Sequence, residues 1–163
     1  FKTKYNLINI RYDIYKYNKT QVNLGYLMFF KDIEIEISFI LLVWGLLSIV
    51  GGLSFLYFNN SFMDAVGFQF IIWGAIDALI AIFPSVIRML RKERKEQNLN
   101  KLKNILLINS FLDLGYIMIG CLIFIGFFEI NQYNGHGVGV IIQGSFLAVF
   151  DTFYALKIIL GRK

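Results

Sequence analysis

The sequence predicts an all-α integral membrane protein, an antiparallel bundle of four transmembrane helices preceded by a basic N-terminal arm. First, 57% of the 163 residues are apolar and the mean hydropathy is +0.61, which is more than a water-soluble chain of this length can bury. Second, the apolar residues form four runs, each near the ~20 residues that cross about 30 Å of hydrocarbon. We place the spans at residues 36–58, 65–88, 104–129 and 137–160.

The basic residues predict the orientation of these spans. All 16 Lys and Arg residues lie before the first span, between the second and third spans, or near the end of the chain. The other two connections contain none. Cytoplasmic segments retain Lys and Arg during insertion, whereas short translocated loops exclude them. Both termini and the middle loop are therefore predicted to face the cytoplasm, in a multi-pass protein of the cell (inner) membrane.

Residues 1–34 form the tyrosine-rich basic arm, and residues 35–163 form the membrane domain. Leu7, Ile10 and Ile14 are spaced as on one helical stripe. Two interpretations stay open: an amphipathic helix that lies on the membrane surface, and a partly ordered arm that only carries charge.

Spans one and two differ in the residues that shape them. Span one carries small residues at Gly45, Gly51 and Gly52. Because small residues let helix backbones approach closely in lipid, we expect it to be a closely packed helix. Span two is predicted to bend or end near Pro84, since proline removes a backbone donor and clashes with the preceding turn.

The cytoplasmic loop 88–103 is basic and has helix-forming composition, so helices two and three should extend beyond the membrane and turn near residues 98–100. Its charges attract anionic lipid headgroups at about 1 kcal/mol per residue. A docking role for an acidic partner protein is the alternative, and nucleic acid is not an expected partner. The residues of this basic collar are Arg88, Arg91, Lys92, Arg94 and Lys95.

Spans two, three and four each carry one aspartate, at Asp77, Asp113 and Asp151. An ionised carboxylate at a helix centre costs roughly 2.5–3.5 kcal/mol on insertion scales, and no Lys or Arg lies at the same depth. These side chains should therefore face the bundle interior.

An amide lies one or two helical turns before each aspartate, and a tyrosine lies one turn after the second. In one hypothesis these groups only hydrogen-bond across helices and hold the bundle together. In the other they line a site for a cation, a proton or a small polar ligand. The candidate binding residues are Asp77, Asp113, Asp151, Gln69, Asn109, Gln143 and Tyr116.

Cysteine and histidine usage argues against metal and cofactor sites. Cys121 is the only cysteine, so a disulfide framework, a CxxC redox pair and a cysteine-rich metal site are excluded. His136, the only histidine, is predicted to be an exposed residue in an outer NGHG turn. One histidine cannot supply two axial haem ligands. We expect no cofactor and no metal.

Catalytic signatures such as HExxH, GxSxG and the Walker glycine loop are absent from the sequence, so an enzyme is not expected. The first functional hypothesis is a small transporter-like or channel-like protein with the acids and amides as its polar core. The alternative is an accessory or scaffold subunit that docks a partner through the basic arm and loop. A homo-oligomer or a complex with another membrane protein fits both.

The third and fourth spans resemble an uncharacterised family of bacterial four-helix membrane proteins, a domain of unknown function. The resemblance is carried by the run ILLINSFLDLGYIMIG in helix three and by Gln-Gly followed by Phe-Asp in helix four. Trp73, Gly74 and Asp77 fit the family pattern more loosely, and residues 1–35 are not covered. The resemblance implies a helical bundle in a bacterial inner membrane and no known activity. The matching positions are Asn109, Asp113, Gly115, Tyr116, Gln143, Gly144 and Asp151.

Overall fold

A computed structural model of the chain describes residues 2–90, 99–127 and 134–161. This part of the chain contains four α-helices, which confirms the all-α prediction: α1 (Lys2–Leu56), α2 (Ser61–Leu90), α3 (Leu99–Phe124) and α4 (Asn134–Leu160). Each of them includes a segment long and apolar enough to cross a membrane: Lys31–Leu56, Ser61–Phe83, Leu99–Phe124 and Asn134–Leu160. The fold is therefore consistent with a multi-pass membrane protein.

The chain divides into two compact units, Phe1–Ile35 and Glu36–Lys163. The first unit contains the N-terminal part of α1 and is helical from Lys2 onward. That the helical arm lies on a membrane surface stays a prediction. The second unit is a four-helix bundle made of the remainder of α1 together with α2, α3 and α4, and it carries the residues considered below.

Local capping explains where three helices begin or end. Asn59 adopts a left-handed conformation (φ 49°) after the last turn of α1. The Asn60 side-chain oxygen accepts hydrogen bonds from the backbone N–H groups of Phe62 (2.9 Å) and Met63 (3.3 Å), as an N-cap does. Helix α2 therefore begins at Ser61, not at residue 65 as predicted.

Helix α3 ends earlier than predicted. Gly126 has a positive φ of 75°, and the N–H of Phe127 bonds to the carbonyl oxygen of Leu122 at 3.1 Å. These are the features of a glycine C-cap of the Schellman type. The helix stops at Phe124, before the predicted boundary at residue 129.

Three further helix ends differ from the limits of the predicted spans. Helix α2 continues past Pro84 to Leu90, so it does not end at Pro84, since the loss of one backbone hydrogen bond need not end a helix, and a bend at Pro84 stays a prediction. Helix α3 begins at Leu99, before the start of the predicted span at residue 104 and in agreement with the expected continuation of this helix toward residues 98–100, because strong helix formers precede the apolar run. Helix α4 begins at Asn134 instead of residue 137, where packing outweighs the low helix propensity of its glycines.

Glycines allow α1 and α2 to approach at backbone distance. A methyl group added at Gly45 would lie 2.6 Å from the carbonyl oxygen of Gly74, and one at Gly52 would lie 2.5 Å from that of Gly67. The expectation that span one packs closely is confirmed at these two positions. It is wrong for Gly51, which has nothing within 4 Å of an added methyl group. Residue numbers rise along α1 as they fall along α2.

The contacts between α3 and α4 follow the same pattern as those between α1 and α2. The Ser110 and Thr152 hydroxyl oxygens lie 2.6 Å apart, and further along, a methyl group at Gly137 would lie 2.7 Å from the carbonyl oxygen of Gly120. Residue numbers therefore again run in opposite directions along the two helices.

Helix α4 also packs against α2, through glycines at its start. A methyl group at Gly135 would lie 2.3 Å from the carbonyl oxygen of Phe62, and one at Gly139 would lie 2.6 Å from the Gln69 side chain. Here residue numbers rise together along the two helices. With contacts to α2 and α3, α4 contains more buried residues than α3 does.

Large apolar side chains cover the outward faces of the bundle. Phe111 is 76% exposed and Val149 is 71% exposed. In water, a continuous apolar surface of this kind would be an aggregation or interaction patch. Lipid solvates it without cost, which fits the four candidate spans.

Candidate functional site

Three carboxyl groups from three different helices are buried in the bundle and interact electrostatically with one another. Asp77 of α2, Asp113 of α3 and Asp151 of α4 are only 2%, 5% and 7% exposed. Asp113 lies close enough to interact electrostatically with both of the others, and Asp77 also interacts with Asp151. We call this group the carboxyl site.

The helical repeat explains why these residues face inward. The buried positions of α3 include Leu106, Asp113 and Gly120, which follow one another at intervals of seven residues. Seven residues are nearly two turns, so these side chains lie on one face. Asp77 is likewise buried on the α2 face that contains Gly74.

The carboxyl site is incompletely hydrogen-bonded. One oxygen of Asp77 (Oδ2) and one of Asp113 (Oδ2) are buried without a hydrogen-bond partner among the described residues. Asp151 accepts a hydrogen bond from the Asn109 side chain. The sequence has no Lys or Arg at residues 32–87 or 104–156 that could neutralise the acids from within a span. A buried polar group without a partner costs about 1–3 kcal/mol, so these two oxygens are not explained by structural hydrogen bonding.

Gln143 does not join the acids. Its side-chain oxygen accepts a hydrogen bond from the Trp44 indole N–H (2.8 Å), and its Nε2 donates to the Ser48 hydroxyl (3.0 Å). The Trp44 ring stacks on Phe146, with ring centroids 3.8 Å apart. Gln143 thus links α4 to α1 through hydrogen bonds. The sequence alone did not identify Trp44 and Ser48 as its partners.

Gln69 also has a partner away from the acids, and that partner corrects the prediction for His136. The Gln69 Nε2 donates to His136 Nδ1 at 3.1 Å, and the histidine ring packs edge-on against Phe68. His136 lies inside α4 and is only partly exposed. It is not an exposed turn residue, because α4 begins before it and brings it against α2.

Tyr116 lies next to the carboxyl site. Its ring contacts that of Trp73 in an edge-to-face arrangement, with centroids 5.2 Å apart. Trp73 is one turn from Asp77 on α2, and Tyr116 is one turn from Asp113 on α3. The structure therefore places an aromatic pair beside the acid pair, between the same two helices.

A charged contact between α1 and α4 was not predicted. The Lys157 ammonium group forms an ion pair with Glu36 at 2.5 Å, and both side chains are partly exposed. The same nitrogen lies 5.4 Å from the centre of the Tyr154 ring. The Tyr154 hydroxyl makes no hydrogen bond of normal geometry but interacts electrostatically with Glu36. The signal in the sequence was an acid and a lysine at the same predicted end of two spans.

Other predicted features are separate from the carboxyl site or lie beyond the described residues. Within residues 2–90, 99–127 and 134–161, no three His, Cys, Asp or Glu side chains are grouped so that they could hold one metal ion. Four residues of the basic collar, Arg91, Lys92, Arg94 and Lys95, lie outside the described residues. Arg88 belongs to α2.

Comparison with known proteins identifies a family. The family model described as a family of unknown function (DUF6992) matches residues 40–152, which include the whole carboxyl site. The resemblance of this sequence to an uncharacterised domain family is thereby confirmed. Neither the curated proteins nor the solved structures contain a significant match.

Proposed function

We propose that this chain, which belongs to the family of unknown function DUF6992, is a small transporter-like or channel-like membrane protein. Its carboxyl site, formed by Asp77, Asp113 and Asp151, binds a cation, a proton or a small polar ligand. Asn109 is the amide that contributes to this site. Gln69 and Gln143 support the bundle around it.

One observation carries the proposal. Two carboxyl oxygens, one on Asp77 and one on Asp113, are buried without a hydrogen-bond partner in the described part of the chain, and the two carboxyl groups interact electrostatically. Hydrogen-bonded Gln143 shows that this bundle can satisfy a buried polar side chain where only packing is required. Intramembrane acids retained at such a cost mark ion and substrate pathways in membrane proteins.

The proposed topology is four antiparallel crossings with both termini on the cytoplasmic side of a bacterial inner membrane. The opposite direction of residue numbers in the α1–α2 and α3–α4 contacts supports the antiparallel arrangement. The distribution of all 16 basic residues supports the orientation.

The accessory-subunit hypothesis remains the alternative. It depends on the basic arm and on the basic residues of the loop. Of these, residues 91–98 lie outside the described residues. It predicts that charge reversal at Arg91–Lys95 removes a co-purifying partner and that changes to the three aspartates have no effect.

Ion flux tests the proposal. Protein reconstituted into vesicles is assayed with internal dyes for H⁺, Na⁺ and K⁺. We expect flux of at least one of these ions, lowered about tenfold or more by Asp113→Asn, since the amide cannot carry the charge that the ion replaces or neutralises. Asp64→Asn is the matched control, because Asp64 lies in the first turn of α2. Unaltered flux in Asp77→Asn, Asp113→Asn and Asp151→Asn would refute the proposal.

A further inference from the structure

We infer that the carboxyl site and the neighbouring aromatic pair together bind an organic ammonium ion, a cation with an apolar body. This inference rests on the proposed function and names the class of ligand that the site takes. The juxtaposition of Asp77 and Asp113 with Trp73 and Tyr116 carries it.

The two pairs form adjacent layers between the same helices. Trp73 precedes Asp77 by four residues on α2, and Tyr116 follows Asp113 by three residues on α3. The Trp73 ring contacts the Tyr116 ring, and Asp77 interacts electrostatically with Asp113. From the first contact to the second, residue numbers rise along α2 and fall along α3. Both aromatic rings therefore lie on the same side of the acids along the helix axes.

Each layer has a chemical use in binding an organic cation. The faces of tryptophan and tyrosine rings attract a cation that comes within about 6 Å of the ring centre, and this attraction is stronger where water is excluded. The buried Asp77 and Asp113 oxygens, which have no partner in the part of the chain that the structure describes, supply the compensating charge or hydrogen-bond acceptors. An ammonium group at the acids would leave its apolar body against the rings.

A metal ion or a proton would use only part of the site formed by the acids and the aromatic pair. A bare metal ion requires several ligand atoms at short distances, and the carboxyl groups are not grouped so that three of them could hold one ion. A proton requires an acid but no aromatic pair. An organic ammonium ion is larger and uses both layers.

The aromatic layer reaches the outside of the bundle. Tyr116 is 38% exposed, whereas Asp113, one turn away, is 5% exposed. An amphipathic cation dissolved in the bilayer can therefore contact Tyr116 first and the acids second. This order suits a ligand that partitions into lipid before it binds.

Binding of benzyltrimethylammonium to the intact chain in lipid nanodiscs tests the inference. Its uncharged analogue neopentylbenzene serves as the reference ligand, and titration calorimetry is the measurement. We expect saturable binding of the cation and at least tenfold weaker binding of the neutral analogue. If the unmodified protein does not prefer the cation, the inference is wrong, whatever any variant does.

Four variants locate the binding site. Asp77→Asn and Tyr116→Leu should each weaken binding of benzyltrimethylammonium about tenfold, while Tyr116→Phe retains the ring face and should bind within a factor of about three. Tyr57→Leu is a control at an exposed tyrosine outside the site. Binding unchanged in Asp77→Asn and Tyr116→Leu would overturn the inference.

The two proposals can fail separately. If flux of H⁺, Na⁺ or K⁺ depends on the aspartates but benzyltrimethylammonium does not bind, the organic-cation inference is wrong and the proposed function stands. If the cation binds in an Asp77-dependent and Tyr116-dependent manner without any flux, the inference stands and the transport part of the proposed function is wrong.

Discussion

The side chain of Gln143 is 1% exposed, and both ends of its amide have a partner on α1, Trp44 for the oxygen and Ser48 for the nitrogen. Asp77 and Asp113 are also buried, but each retains an oxygen that has no partner among the described residues. Because these residues lie in the same bundle, burial alone does not separate them. Hydrogen bonding does, and it distinguishes a side chain that holds helices together from the side chains that bind a ligand in the proposed function.

The Trp44–Gln143 hydrogen bond leads to a prediction at the residue scale. Trp44→Phe removes the indole donor but can keep the ring stacked on Phe146. We expect the free energy of unfolding to fall by about 1 kcal/mol, because the buried Gln143 oxygen loses its partner. Unfolding by SDS in mixed micelles, followed by circular dichroism, is the measurement.

A double-mutant cycle provides the control for this prediction. In a Gln143→Leu background the acceptor is already absent, so Trp44→Phe should cost less there than in the unmodified chain. Equal losses in the two backgrounds would show that the hydrogen bond contributes nothing to stability.

At the scale of the helices, glycines decide which faces approach. Gly45 and Gly74 bring α1 and α2 together at backbone distance, while Gly51 and Gly115 have open space where a methyl group would be. All four are glycines within apolar helices, so composition does not distinguish them. Close approach fixes the rotation of α1 against α2 and, through α2, the direction in which Asp77 points.

Two alanine substitutions on α1 test this difference between glycines. Gly45→Ala should lower the free energy of unfolding by about 1–3 kcal/mol, because its methyl group would press on the backbone of α2. Gly51→Ala should be neutral or stabilising by up to about 1 kcal/mol, since alanine is the better helix former. The same SDS titration measures both. A similar loss in the two variants would contradict the close α1–α2 contact.

At the scale of the whole molecule, the proposed function depends on how the chain would be placed in a membrane. Four helices are long and apolar enough to cross one, and every basic residue lies in a segment predicted to be cytoplasmic or at the predicted cytoplasmic end of a span. In that placement the Glu36–Lys157 pair lies toward the cytoplasmic ends of α1 and α4, and His136 lies toward the opposite end of α4. The carboxyl site would then lie between these two ends.

Cysteine labelling tests the proposed orientation. Cys121 is the only cysteine, so a Cys121→Ser chain gives a background without thiols. We expect a membrane-impermeant maleimide to label Asn60→Cys in intact cells and Gln97→Cys only after lysis, because the first connection contains no basic residue and the second is rich in them. Labelling of Gln97→Cys in intact cells would reverse the assigned orientation.

Much of the fold could be predicted from the sequence because hydropathy and helix composition are local properties. The helix ends were predicted less well. Asn60 begins α2 by accepting hydrogen bonds from backbone N–H groups of its first turn. Gly126 ends α3 by adopting a left-handed conformation. The first turns of α4, which include Gly135 and Gly139, are stabilised by contacts with α2 that no local pattern reveals.

The candidate site was only partly predictable, for a related reason. Helical spacing places Gln143 on one face with Asp151, and Gln69 on one face with Asp77. It does not say which neighbouring helix each side chain meets. Gln143 lies two turns before Asp151 on α4 and bonds to α1, whereas Gln69 bonds to His136.

The sequence by itself determined that the chain forms four long apolar helices and that three of them carry an acid where no basic residue can neutralise it within the span. Only the tertiary structure decided that the three acids are buried within electrostatic reach of one another, that of the three candidate amides Asn109 bonds to one of them, and that Trp73 and Tyr116 lie beside them. The physical reason is that a helical repeat fixes the face of each side chain, whereas the rotation and approach of whole helices depend on contacts such as Gly45 with Gly74.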